Sequence, residues 1–248
     1  AAKNVEGCTR KIYSKIIIPT TVALFLTLTT ASSQAALITI DVVGADWTNV
    51  TGGANLEFIN SDFIVGNEQI RWGGSGTPTA RKSGYRFEGA APPAFSVDTG
   101  VEFVLGRFTH FNFPIPAGTA ITSAQLNLTT HLTIDGTPLT EGPFTFSFLH
   151  NETPNTSLLC CNDIVNFSNV VSSDTFSIGS VDYTLAMTGF LGADNMPVNS
   201  FSTQERRVNR ARVTAMFTEV AIPIPEPGTL ALLGLGLLGL AALRKRSE

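Results

Sequence analysis

The stretch "ITSAQLNLTTHLTID" alternates so regularly that it admits essentially one backbone conformation. Ala124, Leu126, Leu128, Leu132 and Ile134 share one parity, and Gln125, Asn127, Thr129, His131 and Thr133 share the other. An extended strand sends successive side chains to opposite faces, so this is a strand with one buried side. "PFTFSFLH" repeats the pattern with Phe144, Phe146 and Phe148 in register, and "DTFSI", "VDYTLAM" and "ARVTAMF" continue it. Turn clusters such as "GGSGTPT", "DGTP" and "NETPNTS" separate these runs. No amphipathic helix interrupts them. Many short strands punctuated by Gly, Pro, Asn and Asp predict an all-β fold, an antiparallel, jelly-roll-like β-sandwich over residues 36–220. The 17 Phe against 2 Trp suit the core of such a sandwich.

Both ends of the chain break the pattern. Lys3, Arg10, Lys11 and Lys15 precede an apolar stretch, Ile16 to Thr30, followed by "ASSQAA". A basic region, a short apolar core and small residues describe a secretory signal peptide. Ser33 and Ala35 place the cut between Ala35 and Ala36, giving a leader of residues 1–35. The chain begins with Ala1 rather than Met, which leaves room for residues before it. At the other end, a Pro-rich linker (221–227) leads into an apolar segment and basic tail (228–248). Leu230 to Leu243 contains only Leu, Ala and Gly. As a single hydrophobic helix it reaches about 21 Å, short of a ~30 Å hydrocarbon core. Arg244, Lys245 and Arg246 form a basic stop that stays on the cytoplasmic side. The order predicts export with transient anchoring in the inner membrane.

Net charge is −4, with 15% charged and 43% hydrophobic residues. That balance excludes disorder and gives no electrostatic basis for binding nucleic acid. Cys8 falls in the leader, leaving the adjacent pair Cys160 and Cys161. Neighbouring cysteines pair only through a strained ring, and two thiols are too few for a structural zinc site.

Candidate chemistry is sparse. His110, His131 and His150 have no zinc-protease spacing, and neither a nucleophile elbow nor a P-loop occurs. His131 reads as solvent-facing on its strand. In "HNETPNTSLLCCNDIVNF", Glu152, Asn155, Asn162 and Asp163 crowd into turns; of these Glu152 and Asp163 are weak calcium candidates, since hard cations prefer oxygen ligands. In "LGRFTHFNFPI", Thr109, His110 and Asn112 are polar among Phe residues. They can hydrogen-bond a neighbouring loop and lock a strand end before Pro114 stops the ladder, or they can face a ligand. Trp47, Trp72 and Tyr85 lie in Gly-rich segments and are expected to be exposed, as a sugar-binding surface requires. Glu57, Asp62, Glu88, Glu102, Glu152 and Asp163 are the acids that a hydrolase would draw on.

"PEPGTLALLGLGLLGLAALRKR" resembles the PEP-CTERM sorting signal of Gram-negative bacteria, with the motif at Pro225, Glu226 and Pro227. "WTNVTGG", "QIRWGG", "SGYRFEG", "LGRFTHFNFPI" and "NETPN…NDIVNF", from about Trp47 to Phe167, resemble a PEP-CTERM subgroup named for a THxN motif, with a choice-of-anchor K domain. Thr109, His110 and Asn112 are that motif here, and its role is unknown. The resemblance implies an exosortase partner that recognises the motif and removes the tail. It also implies signal peptidase and Sec export machinery, and an association with exopolysaccharide and biofilm. The resulting expectation is a non-enzymatic surface or matrix protein without a cofactor. The alternatives are a carbohydrate-binding or adhesive module and, more remotely, a secreted hydrolase.

Overall fold

In the computed structural model the strand predicted from "ITSAQLNLTTHLTI" lies inside a six-stranded sheet, with its apolar parity wholly buried. The structure describes residues 37–59, 68–90, 93–154, 162–168, 171–192 and 194–220, together with Gly236. The chain divides into two units, Ala1–Gln34 and Ala35–Glu248, and every described residue belongs to the second. The leader, the Ala35–Ala36 cut, Cys160 and Cys161 all lie outside the described residues. So do Pro225, Glu226, Pro227 and the 228–248 segment with Arg244, Lys245 and Arg246, Gly236 excepted. Among the described residues no helix is long and apolar enough to cross a membrane.

Among the described residues fourteen strands follow in order: β1 (Leu37–Gly52), β2 (Glu57–Ile59), β3 (Glu68–Trp72), β4 (Ser83–Gly89), β5 (Phe95–Asp98), β6 (Phe103–Asn112) and β7 (Ile121–Ile134), then β8 (Thr137–Asn151), β9 (Asp163–Phe167), β10 (Val171–Ile178), β11 (Val181–Leu191), β12 (Pro197–Val198), β13 (Ser200–Thr203) and β14 (Arg207–Glu219). The first sheet runs β13-β9-β8-β7-β1-β5. The second runs β10-β11-β14-β6-β4-β3-β2, with β12 beside β11. All pairings are antiparallel, as the alternation predicts. The β7–β8 hairpin turns at Asp135 and Gly136, both with positive φ (49° and 78°). That is the demand of a tight two-residue hairpin turn, which Asp-Gly meets without strain.

The core between the sheets is aromatic. Phe148 on β8 meets Trp47, Phe108 and Phe167 at ring-centroid distances of 5.3, 5.4 and 4.9 Å, and its ring lies nearly parallel to that of Phe108. Phe108 and Phe148 belong to opposite sheets, so this stack ties the two layers together. The Trp47 indole N–H donates across the same interface to the Glu68 carbonyl, at 3.0 Å.

One expectation fails here. Trp47, Trp72 and Tyr85 are not on the surface; they are 4%, 0% and 0% exposed. Each takes an inward position of its strand, so the alternation overrides the neighbouring glycines. Gly84, beside Tyr85, reflects close strand pairing: a Cβ there would clash with the Ile70 carbonyl oxygen. The aromatic platform needed for sugar binding is therefore absent at these residues.

Phe148→Ala should lower folding stability by about 3–5 kcal/mol, the usual cost of truncating a buried Phe. Urea unfolding of the wild type and variant measures it, and a loss below about 1 kcal/mol would remove Phe148 from its place at the centre of the core.

Candidate functional site

The aromatic core does not end in solvent at one edge of the sandwich. Its inward positions continue there in polar residues. On β6 the series Phe108, His110, Asn112 is buried throughout, and on β8 Phe144, Phe146 and Phe148 lead to His150. β9 begins with Asp163 and β13 ends with Thr203, and the two pair directly. The cluster thus draws on both sheets. The turn after Thr203 carries the chain from the first sheet to the second and presents Glu205. The Asn209 side chain clamps this turn, accepting from the Gln204 N–H and donating to the Gln204 carbonyl, both at 2.9 Å.

Thr203 organises the cluster. Its hydroxyl donates to the Asp163 carbonyl (3.2 Å), so its oxygen acts as an acceptor toward its other neighbours. Nδ1 of His110 lies 2.8 Å from that oxygen and must therefore be the protonated ring nitrogen. Nε2 of His110 then carries a bare lone pair, with no partner. Asn112 donates to the Thr203 carbonyl at 3.1 Å. His110 and Asn112 therefore lock the end of β6 to a neighbouring segment, one of the two roles read from the sequence. Thr109 points to the opposite face of the strand and takes no part.

His150 sits between two partners. Its Nδ1 is 2.6 Å from the Tyr85 hydroxyl and its Nε2 is 3.2 Å from a Glu152 carboxylate oxygen. One oxygen of Asp163 accepts from the Thr153 N–H (2.9 Å) and hydroxyl (3.0 Å), while its Oδ2 has no partner. Glu205 Oε2 is likewise unpartnered. A cleft of about 670 Å³ runs beside His150, Glu152 and Thr153, with Ile115, Pro116 and Ile121 also in its wall.

Burial shifts Tyr85, His110, Asp163 and Glu205 toward their neutral forms. Burial, then His150 and Arg71, hold His110 well below the usual imidazole range. Burial, then the Asp163 and Glu152 carboxylates, push the Tyr85 hydroxyl well up. Burial raises Asp163 to about 6 against the pull of Thr153, and Glu152 adds to the rise. Burial and Asp163 raise Glu205. The site is acceptor-rich and short of positive charge.

Of the residues singled out in the sequence, the fold brings His110, Asn112, Glu152 and Asp163 together. His131 is exposed on β7, as expected. Tyr85, expected on an exposed sugar-binding surface, is instead buried against His150; His150, Thr203 and Glu205 were not foreseen as site residues. For His150 a signal existed, because it continues the Phe144–Phe148 parity by one step. Thr203 lies 93 residues from His110, and nothing local announces that meeting.

A family model described as the PEP-CTERM protein-sorting motif matches residues 223–246. Such a motif marks an exported protein that an exosortase sorts to the cell envelope or surface. The match does not reach residues 47–167, so the likeness to the THxN subgroup rests on the quoted residues. No curated protein matches the chain significantly.

The raised Asp163 carboxyl has a consequence for pH. Its pKa is about 6 in the fold and near 4 when unfolded. Between these values the folded state holds the proton more tightly, so this group costs stability as pH rises from about 4 to 6. Asp163→Asn abolishes that cost. In metal-free buffer the variant should therefore gain on the wild type between pH 4 and pH 6, as read by urea unfolding. A constant difference across that window would contradict the buried, partnerless Oδ2.

Proposed function

We propose that this chain is a non-enzymatic protein of the cell surface or extracellular matrix, released from its membrane tail by an exosortase. The sorting motif at residues 223–246 carries the reading. A 1–35 leader read by the Sec machinery and signal peptidase, a 36–220 β-domain, a 221–227 linker and a 228–248 processing segment make a consistent order. The leader delivers the domain outward, the leucines hold the chain in the inner membrane, and the basic tail keeps its end inside. The short, Gly-containing helix suits a transient hold, since Gly weakens a helix and 21 Å spans a bilayer poorly (about 30 Å of hydrocarbon). On the THxN resemblance, the setting is exopolysaccharide and biofilm.

Two observations favour this reading over its alternatives. Trp47, Trp72 and Tyr85 are buried, which takes the proposed stacking surface from a carbohydrate-binding module. A glycosidase needs two carboxylates that both reach the substrate. Glu152 borders the cleft, but Asp163 behind it is 0% exposed and is held by Thr153.

Intact-mass spectrometry of the protein from its native host tests the proposal. The mature form should lack the segment after the Pro225–Pro227 motif, and Pro225→Ala with Pro227→Ala should leave the tail attached. Recovery of wild-type protein still carrying Leu230–Glu248 would overturn exosortase processing.

A further inference from the structure

We propose that His110, His150 and Asp163, with Glu152 and Glu205, form a binding site for one divalent first-row transition cation that cross-links the two sheets. One ligand-capable atom from each of His110, His150 and Asp163 lies within 4.8 Å of the other two. Glu152, Asp163 and Glu205 form a second such set, which shares Asp163. Bonds of about 2.0–2.2 Å to nitrogen and oxygen place neighbouring ligands roughly 3–4 Å apart, so each set is already near ligand spacing.

The orphaned atoms point the same way. His110 and Asp163 are both 0% exposed, yet His110 Nε2 and Asp163 Oδ2 have no partner. Glu205 Oε2 is a third buried acceptor without one. Buried polar atoms are normally satisfied. These three are acceptors only and cannot satisfy one another while the carboxylates are charged. A single water donates two hydrogen bonds, whereas a cation meets every acceptor at once.

The surrounding contacts are those that a metal site requires. A ligating imidazole usually donates its other N–H to a fixed acceptor, which sets the tautomer. His110 does this through Nδ1 to Thr203. His150 can do the same through Nδ1 to the Tyr85 oxygen, because a phenol accepts as well as donates. Thr153 fixes Asp163 so that Oδ2 remains available. Two imidazoles among the donors turn the site from calcium, which takes oxygen ligands, toward zinc and its neighbours. His110, His150 and Asp163 with one further carboxylate, Glu152 or Glu205, supply the four protein donors of a closed structural site. The cleft beside His150 and Glu152 gives the ion a route in.

The test uses the full chain in detergent, with Cys8, Cys160 and Cys161 replaced by Ser to exclude thiolate binding. After chelator treatment, the protein is titrated separately with Zn(II), Co(II), Mn(II) and Ca(II), and followed by calorimetry and thermal unfolding. One Zn(II) should bind per chain and raise the melting temperature, with affinity falling from Zn(II) through Co(II) to Mn(II). Ca(II) should bind far more weakly. His110→Ala and Asp163→Asn should each weaken Zn(II) binding by at least about tenfold. Thr203→Val, which keeps the side-chain volume, should weaken it by about 10–100-fold through loss of the tautomer lock. His131→Ala should change nothing. If His110→Ala does not fold, Asp163→Asn and Thr203→Val decide. No binding of Zn(II), Co(II) or Mn(II) would overturn the proposal. So would Ca(II) binding as tightly as Zn(II), or unchanged Zn(II) affinity in Asp163→Asn and Thr203→Val.

Discussion

The Thr203 hydroxyl is the constraint on which the polar end of the sandwich depends. It has one proton, and that proton goes to the Asp163 carbonyl. Everything else within reach must donate to the Thr203 oxygen. His110 is therefore fixed with its proton on Nδ1 and its bare nitrogen facing the cluster. Asn112 is fixed in the same way against the Thr203 carbonyl. Since His110 and Asn112 lie on the second sheet and Thr203 and Asp163 on the first, one hydroxyl sets both a protonation state and the approach of the two layers. A bond of this kind is worth only about 1 kcal/mol net, but a buried group left unmet costs about 1–3 kcal/mol. The specificity of the arrangement therefore exceeds its contribution to stability.

The same strand register that builds the aromatic core builds the polar cluster. Phe144, Phe146, Phe148 and His150 occupy successive inward positions of β8, as Phe108, His110 and Asn112 do on β6. A slip of one residue in either strand would turn that strand's Phe residues outward and remove its histidine from the interior. Hydrophobic burial thus positions groups that gain nothing from it themselves. Rings continue into the cluster: Trp72 stacks on His110 with centroids 6.2 Å apart, and Tyr85 contacts both histidines at 5.2 and 5.6 Å. These aromatic walls exclude water, and the excluded water is what shifts Tyr85, His110 and Asp163 toward their neutral forms.

Fold class was legible because its signal is local. Parity within ten residues identified β7, β8, β10, β11 and β14, and the cluster "DGTP" marked a turn between β7 and β8. Strand partners were not legible, since β1 pairs with β7 and β6 pairs with β14 across long separations. Trp47, Trp72 and Tyr85 were misplaced because glycine was read as a loop signal, whereas Gly84 permits close pairing inside a sheet. The site was half legible. Unusual polarity among Phe residues drew attention to His110 and Asn112, and crowded acids drew it to Glu152 and Asp163. That these were parts of one cluster depends on a sheet crossing that no local window contains. The tail lies at the other extreme, because three contiguous features in fixed order are complete without any fold.

Non-local assembly gives the cluster a further property. Its members run from Tyr85 to Glu205, so no fragment of the chain holds the site. An ion that binds only the assembled set adds its binding free energy to folding, by about 2.7 kcal/mol at a hundredfold excess over Kd. An all-β domain of long-range pairings folds slowly, because loop closure precedes the contacts that reward it. During that interval its strand edges are exposed and prone to pair with other chains. On the proposed cation site, an ion would stabilise the domain only after its sheets have met, because the ligands His110, His150 and Asp163 come from both sheets. The metal would then act on the folded state alone, slowing the separation of the two layers without guiding their first approach.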